Sequence, residues 1–530
     1  MPSSLFSQCS PPSHNSARFD ALRILALLLF MVALGVFPGT AMGQNNDGPL
    51  STHIYELPKS GPPTTFVLIQ GAGFDPLTAI DVYFDSNKLA STITDRNGSF
   101  GNGIITATGA TFVRLQVPAN ALPGQHTITA QQRVGQKSAQ IAFLVQTDWP
   151  KFGFDLQRTG LNPYENILNP SSVTLLAPQW KYATGRNVGS SPAVVNGVAY
   201  VGSDDGNVYA LDAVTGALVW KYATGNAVES SPAVATGTVY IGSDDHNVYA
   251  LDAKTGALVW KYATVSAVES SPAVANGVVY VGSRDNSVYA LDATTGALVW
   301  AYATQGAVDS SPAVANGVLY VGSYDRYLYA LDAKTGALVW KHQMENSLYY
   351  SPAVANGVLY VSAYDSNLYA LDAKTGALVW TFASGVQDQF SSPAVANGVL
   401  YVGSNNGTLY ALDAGTGGLL WGYTTAAVVV STPAVADGVF YVGSYNGTLY
   451  ALDASTGGFL WKYETGYVIR SSPAVANGVV YIGSDDSNLH AFGLPSQETS
   501  QKLSPPQRPD PARLTPDWSL QPAQHGGRAY

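Results

Sequence analysis

The chain has 530 residues, room by length alone for three or four ordinary domains, with only 12 % charged residues, 53 Gly and 11 % aromatics. Abundant aromatics and scarce charge exclude a disordered chain. A formal net charge of −10 argues against nucleic acid as a partner, because that binding needs a basic face.

In chain order, Arg18 and Arg23 precede an uncharged apolar run, Ile24 to Phe37, and the small residues Ala41 and Gly43 follow it. That run would span only about 21 Å as a helix, short of a bilayer core of about 30 Å. Residues 1–43 therefore read as a cleaved export signal, with an uncleaved N-terminal anchor as the other reading. The single cysteine, Cys9, lies upstream of the run, so the mature chain would hold no disulfide and no catalytic thiol. We expect a secreted or cell-envelope protein with no membrane span in its mature part.

Residues 44–60 read as a linker. From 61 to 147, Gln70–Phe74, Ile80–Asp85 and His126–Ala130 look like short strands between Gly, Pro and Asn turns. About 85 such residues suggest a small immunoglobulin-like β-sandwich. Residues 148–177 form a lead-in segment.

Then comes a repeat. Trp180, Trp220, Trp260, Trp300, Trp340 and Trp380 stand 40 residues apart, and Trp421 and Trp461 follow after one inserted residue. Between them a nearly constant unit divides into four short strands. Ser-Pro-Ala-Val-Ala meets an Asn-Gly hairpin signal, a Val-Tyr-Val-Gly-Ser strand follows, then a polar turn, Tyr-Ala-Leu-Asp, a Thr-Gly turn and Leu-Val-Trp. Four strands in 40 residues is the pattern of a propeller blade. Ser-Pro or Thr-Pro opens a unit at Ser191, Ser231, Ser271, Ser311, Ser351, Ser392, Thr432 and Ser472, which predicts eight blades over 178–494. The last unit lacks its Leu-Val-Trp strand, and Leu176 to Tyr182 supplies one, closing the ring with the N-terminal strand. The fold class is all-β. Residues 495–530 are Pro- and Gln-rich and read as a disordered tail.

Each repeat carries A-x-D-x-x-T-G-x-x-x-W, as in Ala210, Asp212, Thr215, Gly216 and Trp220. This resembles the pyrroloquinoline-quinone (PQQ) type propeller repeat over about 178–494, and Trp149–Gly153 with Arg158-Thr159-Gly160 looks like the lead-in of that superfamily. The resemblance implies that Trp180, Trp220, Trp260, Trp300, Trp340, Trp380, Trp421 and Trp461 dock blade on blade. Each indole would lie over a Gly peptide of its neighbour, with Asp and Thr tying the turn. It also implies two kinds of function. Quinoprotein dehydrogenases hold PQQ and calcium at the ring centre, whereas others, including an envelope assembly scaffold, use the ring to grip partners. The paired cysteines and long insertions typical of the alcohol-oxidising enzymes are missing here, which counts against an enzyme.

The seven His are scattered without zinc-ligand spacing, and no nucleophile elbow or P-loop is present. We therefore expect no catalytic residue and no metal site. Ser-Asp-Asp turns (Asp204/Asp205, Asp244/Asp245, Asp485/Asp486) lack the rest of a calcium loop and read as ordinary turn chemistry. The repeats differ mainly in that turn and in the link from each Trp to the next Ser-Pro, two connections on one face of the ring. Three residues before each proline stand Gly189, Glu229, Glu269, Asp309, Tyr349, Phe390, Val430 and Arg470. This predicts a channel mouth with an acidic arc, an aromatic arc and one cation. Glu229, Glu269, Asp309, Tyr349 and Arg470 are the binding candidates. The plainer reading is a solvated rim that drifted after duplication. The expectation is a monomeric, non-enzymatic surface protein that binds a protein or glycan, with no cofactor. The alternatives are a PQQ- and calcium-dependent oxidoreductase and a mere spacer.

Overall fold

A computed structural model describes residues 52–101, 112–384, 389–425 and 427–495. The expected export signal (residues 1–43) and the expected tail beyond Pro495 lie outside them. Two compact units result, the second comprising the described residues from Val145 onward together with Ser60–Pro63 and Asn120–Gly124.

In the first unit, His53–Leu57, Phe66–Ala72 and Val113–Gln116 form one antiparallel sheet. A second sheet runs in the order Ser138–Val145, Gly124–Gln132, Ala79–Phe84, Asn87–Ile93. Val67, Ile69, Ile80, Val82, Ile128 and Phe143 are sealed inside. The segment 44–60 is therefore not all linker. In His53–Leu57, Ile54 and Glu56 turn inward while Tyr55 and Leu57 stay exposed, the two-residue alternation of a half-buried strand.

The second unit is a ring of eight four-stranded antiparallel blades, the seventh extended by the short parallel strand Leu161–Asn162. Blade 1 runs Ala193–Val195, Val198–Gly202, Asn207–Asp212 and Leu218–Ala223, and blades 2 to 7 repeat it. In blade 8, Ala474–Ala476, Val479–Ser484 and Asn488–Gly493 are completed by Ala177–Ala183, which pairs antiparallel with Asn488–Gly493. Among the described residues no helix is long and apolar enough to cross a membrane.

The repeat residues explain the joints. Every repeat Trp donates its indole N–H to a carbonyl of the next blade at 2.9–3.1 Å, from Trp180 to Ala213 round to Trp461 on Leu176. The ring lies against a Gly at positive φ, where a Cβ on Gly296 would come within 2.6 Å of Trp260. Asp212 accepts from the N–H groups of Val214 and Thr215 and from the Thr215 hydroxyl, so the turn satisfies itself. Around the inner circle, the N–H of each Ser in Ser-Pro donates to the hydroxyl of its counterpart one blade on, at 2.9 Å from Ser191 to Ser231. Seven of the eight steps carry this bond among the described residues.

The lead-in does more than enter the ring. Each inner strand presents an unpaired edge to the channel, and buried edges need partners. Trp149 pairs with Val194 of blade 1, and Val234 of blade 2 donates to Pro150. Leu156, Gln157, Thr159 and Gly160 accept from Val314, Val354, Val395 and Val435 of blades 4 to 7. Arg158 donates to Ser271 and Pro312, and Asn162 to Val475 of blade 8. Each blade thus has an inner-strand contact to this segment. The gap lined by Trp149, Phe152, Ser191, Pro433 and Pro473 is too narrow for a water. The channel is plugged from this side.

Candidate site at the channel mouth

On the opposite face, the link into each blade meets the turn between its second and third strands. Asp204 N–H donates to Asn187, Asp244 to Ala227, Tyr324 to Ala307 and Asp485 to Val468. This meeting fixes two concentric positions. One is the residue three before each proline. The other is the first turn residue after Ser, or after Ala363 in blade 5: Asp204, Asp244, Arg284, Tyr324, Tyr364, Asn405, Tyr445 and Asp485.

The second turn residue serves the frame. Asp205 accepts from the Tyr209 hydroxyl and the Gly185 N–H, and Asp245, Asp285, Asp325 and Asp365 accept from the corresponding Tyr. Ordinary turn chemistry therefore accounts for only the second aspartate of each Ser-Asp-Asp, a correction to the sequence-based expectation. The first of each pair belongs to the mouth.

Two arginines organise the acidic side. Arg284 binds Asp309 in a fork, 3.0 Å from Nη2 to Oδ2 with Nε 3.1 Å from Oδ1, and Glu269 at 2.7 Å. Arg470 lies above Gly189, where no side chain competes for the space, and reaches Asp485 at 3.1 Å and Asp204 at 3.5 Å. The mouth therefore holds two cations rather than one. Glu229 and Asp244 form no ion pair of this kind among the described residues. One carboxylate oxygen on Asp204 and one on Asp244 are buried without a hydrogen-bond partner.

The aromatic side also differs from expectation. Phe390 is sealed in the core, packed on Phe382 and Tyr410. Tyrosines replace it at the mouth. Tyr349 stacks on Tyr324 at 6.2 Å, and its edge meets Tyr350 and Tyr364. Tyr349 feels the charges of Glu269, Asp309 and Glu229, so the tyrosines face the acids.

Burial dominates the electrostatics. It raises Glu229, then opposed by Arg470 and reinforced by Asp244. It raises Asp204 and Asp244 as well. Burial first, and then Asp309, push Glu269 up to about 8, outweighing Arg284, whose charge Asp309 shares. No group of three His, Cys, Asp or Glu side chains is gathered closely enough to hold a metal ion among the described residues.

Comparison with known proteins gives a family. Its model, described as outer membrane protein assembly factor BamB, matches at 173–282, 226–308, 284–427 and 388–501, together more than half of the chain. The chain belongs to this BamB family. Its ring is similar to BamB from Moraxella catarrhalis, with 21 % identity and a TM-score of 0.53, over 60 % of this chain and 99 % of that one. It is also similar to quinohemoprotein alcohol dehydrogenase from Comamonas testosteroni, with 17 % identity and a TM-score of 0.59, over 66 % and 81 %. A computationally designed protein, Ika8, matches at 18 % identity and a TM-score of 0.54, over 59 % and 97 %. At such identities these likenesses show the PQQ-like propeller fold alone. No curated protein sequence matches. The family match lies outside the two N-terminal sheets, and the comparisons do not confirm the immunoglobulin-like fold expected there.

For this BamB-family ring the Glu269 environment has a measurable consequence. Folding raises its pKa from an ordinary 4.5, so between those values the folded state binds more protons than the unfolded one. Stability contributed here is present at low pH and falls as pH rises towards 8. The melting temperature should therefore decline from about pH 5 to pH 8 and level off above it, and Glu269→Gln should flatten that decline. An equal slope in the variant would contradict this assignment.

Proposed function

We propose that this protein is a non-enzymatic binding or scaffold protein of the cell envelope that grips a protein partner at the channel mouth. One observation carries the reading. On a frame repeated almost residue for residue, the variable positions converge as six carboxylates, two arginines and a set of tyrosines around one opening. Protein assembly is the role printed for the family, and an envelope location agrees with the export signal read from residues 1–43. In cross-linking from envelope extracts, wild type should recover a partner that Glu229→Ala/Glu269→Ala/Asp309→Ala loses. Identical recovery by both would remove the mouth from the reading.

The dehydrogenase neighbours favour a second reading, PQQ with calcium at the same mouth. The residues do not fit that group. PQQ carries three carboxylates, both arginines are already bound by acids, and an anionic quinone would meet Glu229 and Asp244. The acids are not gathered as a metal donor set. Titrating the full chain with PQQ and Ca²⁺, read by Trp fluorescence, should show no saturation. Micromolar binding would reverse this conclusion.

A further inference from the structure

Blade 5 departs from the other seven in its frame, and the departures compensate one another. Elsewhere the residue before the Ser-Pro or Thr-Pro pair is a sealed serine: Ser190, Ser230, Ser270, Ser310, Ser391, Ser431 and Ser471. In each of those blades its hydroxyl accepts the N–H of a glycine twelve residues on, from Gly202 to Gly483. In blades 1 to 3 it also donates to the serine carbonyl of the next blade. Blade 5 has Tyr350 at the serine position and Ser362 at the glycine position. The Ser362 hydroxyl donates to the Ser391 carbonyl at 2.7 Å, making from its own strand the inter-blade bond that a serine at 350 would have made. The joint is kept, and position 350 is released to carry a large side chain.

That side chain stands among the mouth tyrosines. Tyr350 stacks on Tyr364 at 6.0 Å and 28°, and meets Tyr349 edge-on at 5.3 Å. The residue is only 9 % exposed, but its hydroxyl oxygen is not one of the buried atoms left without a partner, so the ring is packed while the hydroxyl tip stays accessible. Its phenolic neighbours are Tyr364, Tyr349 and, two blades on, Tyr445, which places the hydroxyl toward the opening. Across the mouth, Glu229 and Asp244 form no direct ion pair with either arginine among the described residues, the arginines acting on them only from a distance, and Asp244 keeps a buried oxygen without a donor. Unpaired carboxylates facing tyrosine rings are the two halves of an organic-cation site. The acids supply charge and acceptors, and the ring faces supply a surface that attracts a cation.

We propose that the mouth receives the guanidinium or ammonium group of an Arg or Lys side chain from the partner protein, held between Glu229 and Asp244 on one side and Tyr349, Tyr350 and Tyr364 on the other. This rests on the mouth being the partner face. The cationic group hydrogen-bonds the free carboxylate oxygens and lies against the tyrosine wall, with the Tyr350 hydroxyl as a further acceptor.

The probes are fluorescently labelled, end-blocked pentapeptides, Gly-Ser-Xaa-Ser-Gly with Xaa as Arg, Lys, citrulline or Glu, added to the full chain at 150 mM salt and read by anisotropy. Arg and Lys peptides should saturate, and citrulline and Glu peptides should bind at least tenfold more weakly. Glu229→Gln with Asp244→Asn should lower Arg-peptide affinity at least tenfold. Tyr350→Ser combined with Ser362→Gly restores the frame of the other seven blades, so it should melt within a few degrees of wild type while binding at least fivefold more weakly. Equal binding of citrulline and Arg peptides, or wild-type affinity in the Tyr350→Ser/Ser362→Gly variant, overturns the proposal. So does tenfold tighter binding of free arginine or spermidine than of the Arg peptide, which would make a small metabolite the occupant. Partner recovery that needs Glu229, Glu269 and Asp309 but is untouched by competing Arg peptide would leave the mouth as the partner face and overturn the cation alone.

Discussion

Gly296→Ala is expected to cost the ring roughly 2–5 kcal/mol, and Gly277→Ala only about 1–2 kcal/mol. Both glycines sit at positive φ, +72° and +77°, so alanine meets the same backbone penalty at each. They differ in what a Cβ would touch. At Gly277, in the Asn-Gly hairpin, nothing lies within 4 Å. At Gly296 the Cβ would fall 2.6 Å from Cδ2 and 2.8 Å from Cε3 of Trp260, an indole that is itself buried and tethered to Ala293 at 2.9 Å. The indole cannot step back without losing that hydrogen bond and its packing. The overpacking therefore falls on the joint between two blades. Urea unfolding followed by Trp fluorescence would report both midpoints. Equal shifts would mean that the close approach of indole and glycine is not what holds adjacent blades. Because repeat rings can lose cooperativity, the comparison should be between the two variants rather than with an absolute stability.

Much of this architecture is legible in the sequence because each joint is written eight times. The 40-residue period, the Asn-Gly and Thr-Gly turns and the missing last strand determine blade, count and closure, and Ala177–Ala183 does pair with Asn488–Gly493. The mouth was only partly legible. The position three before each proline led to Glu229, Glu269, Asp309, Tyr349 and Arg470, which the structure does bring together. It missed Asp204, Asp244, Arg284, Tyr324, Tyr364 and Asp485, since Ser-Asp-Asp satisfies ordinary turn rules. The signal was present in the contrast between neighbours. The second turn residue is Asp or Asn in every blade, whereas the first ranges over Asp, Arg, Tyr and Asn. A constant residue beside a free one marks frame beside surface. Tyr350 was missed for the opposite reason. The departure from serine is visible, but its meaning depends on Ser362 taking over a hydrogen bond, and that exchange spans twelve residues of sequence and one blade of space. The lead-in has no period at all. Its partners are inner-strand peptide groups from every blade, so no local pattern could show where it runs.

That lead-in yields the second large expected effect. Arg158 is 3 % exposed, and its guanidinium donates to Pro312 at 2.7 Å, to Ser271 at 2.8 Å and to Phe152 at 3.0 Å, with the Phe152 ring 4.9 Å from its centre. Burial pushes its pKa down to about 9, and the nearby Asp155, itself raised by burial, pulls the other way. The charge is thus held in the channel chiefly by carbonyl oxygens. Those oxygens in turn have it as their donor. Arg158→Met removes three charge-assisted bonds at once and strands buried acceptors from blades 3 and 4 and from the lead-in itself. A loss of about 3–5 kcal/mol is expected. Arg158→Lys keeps the charge but not the fork, and a single ammonium cannot reach three divergent carbonyls. It should recover only part of the loss. The failure should also be local in character. With its anchor gone, the segment Trp149–Asn162 would leave the inner-strand edges it pairs with, so limited proteolysis should cut there before the blades are attacked. If Arg158→Met melts like wild type and the lead-in resists protease equally well, the backbone pairing of Trp149, Leu156, Thr159 and Gly160 alone holds the plug. The buried arginine would then be neutral to stability, as a desolvated charge can be when its bonds only repay its burial.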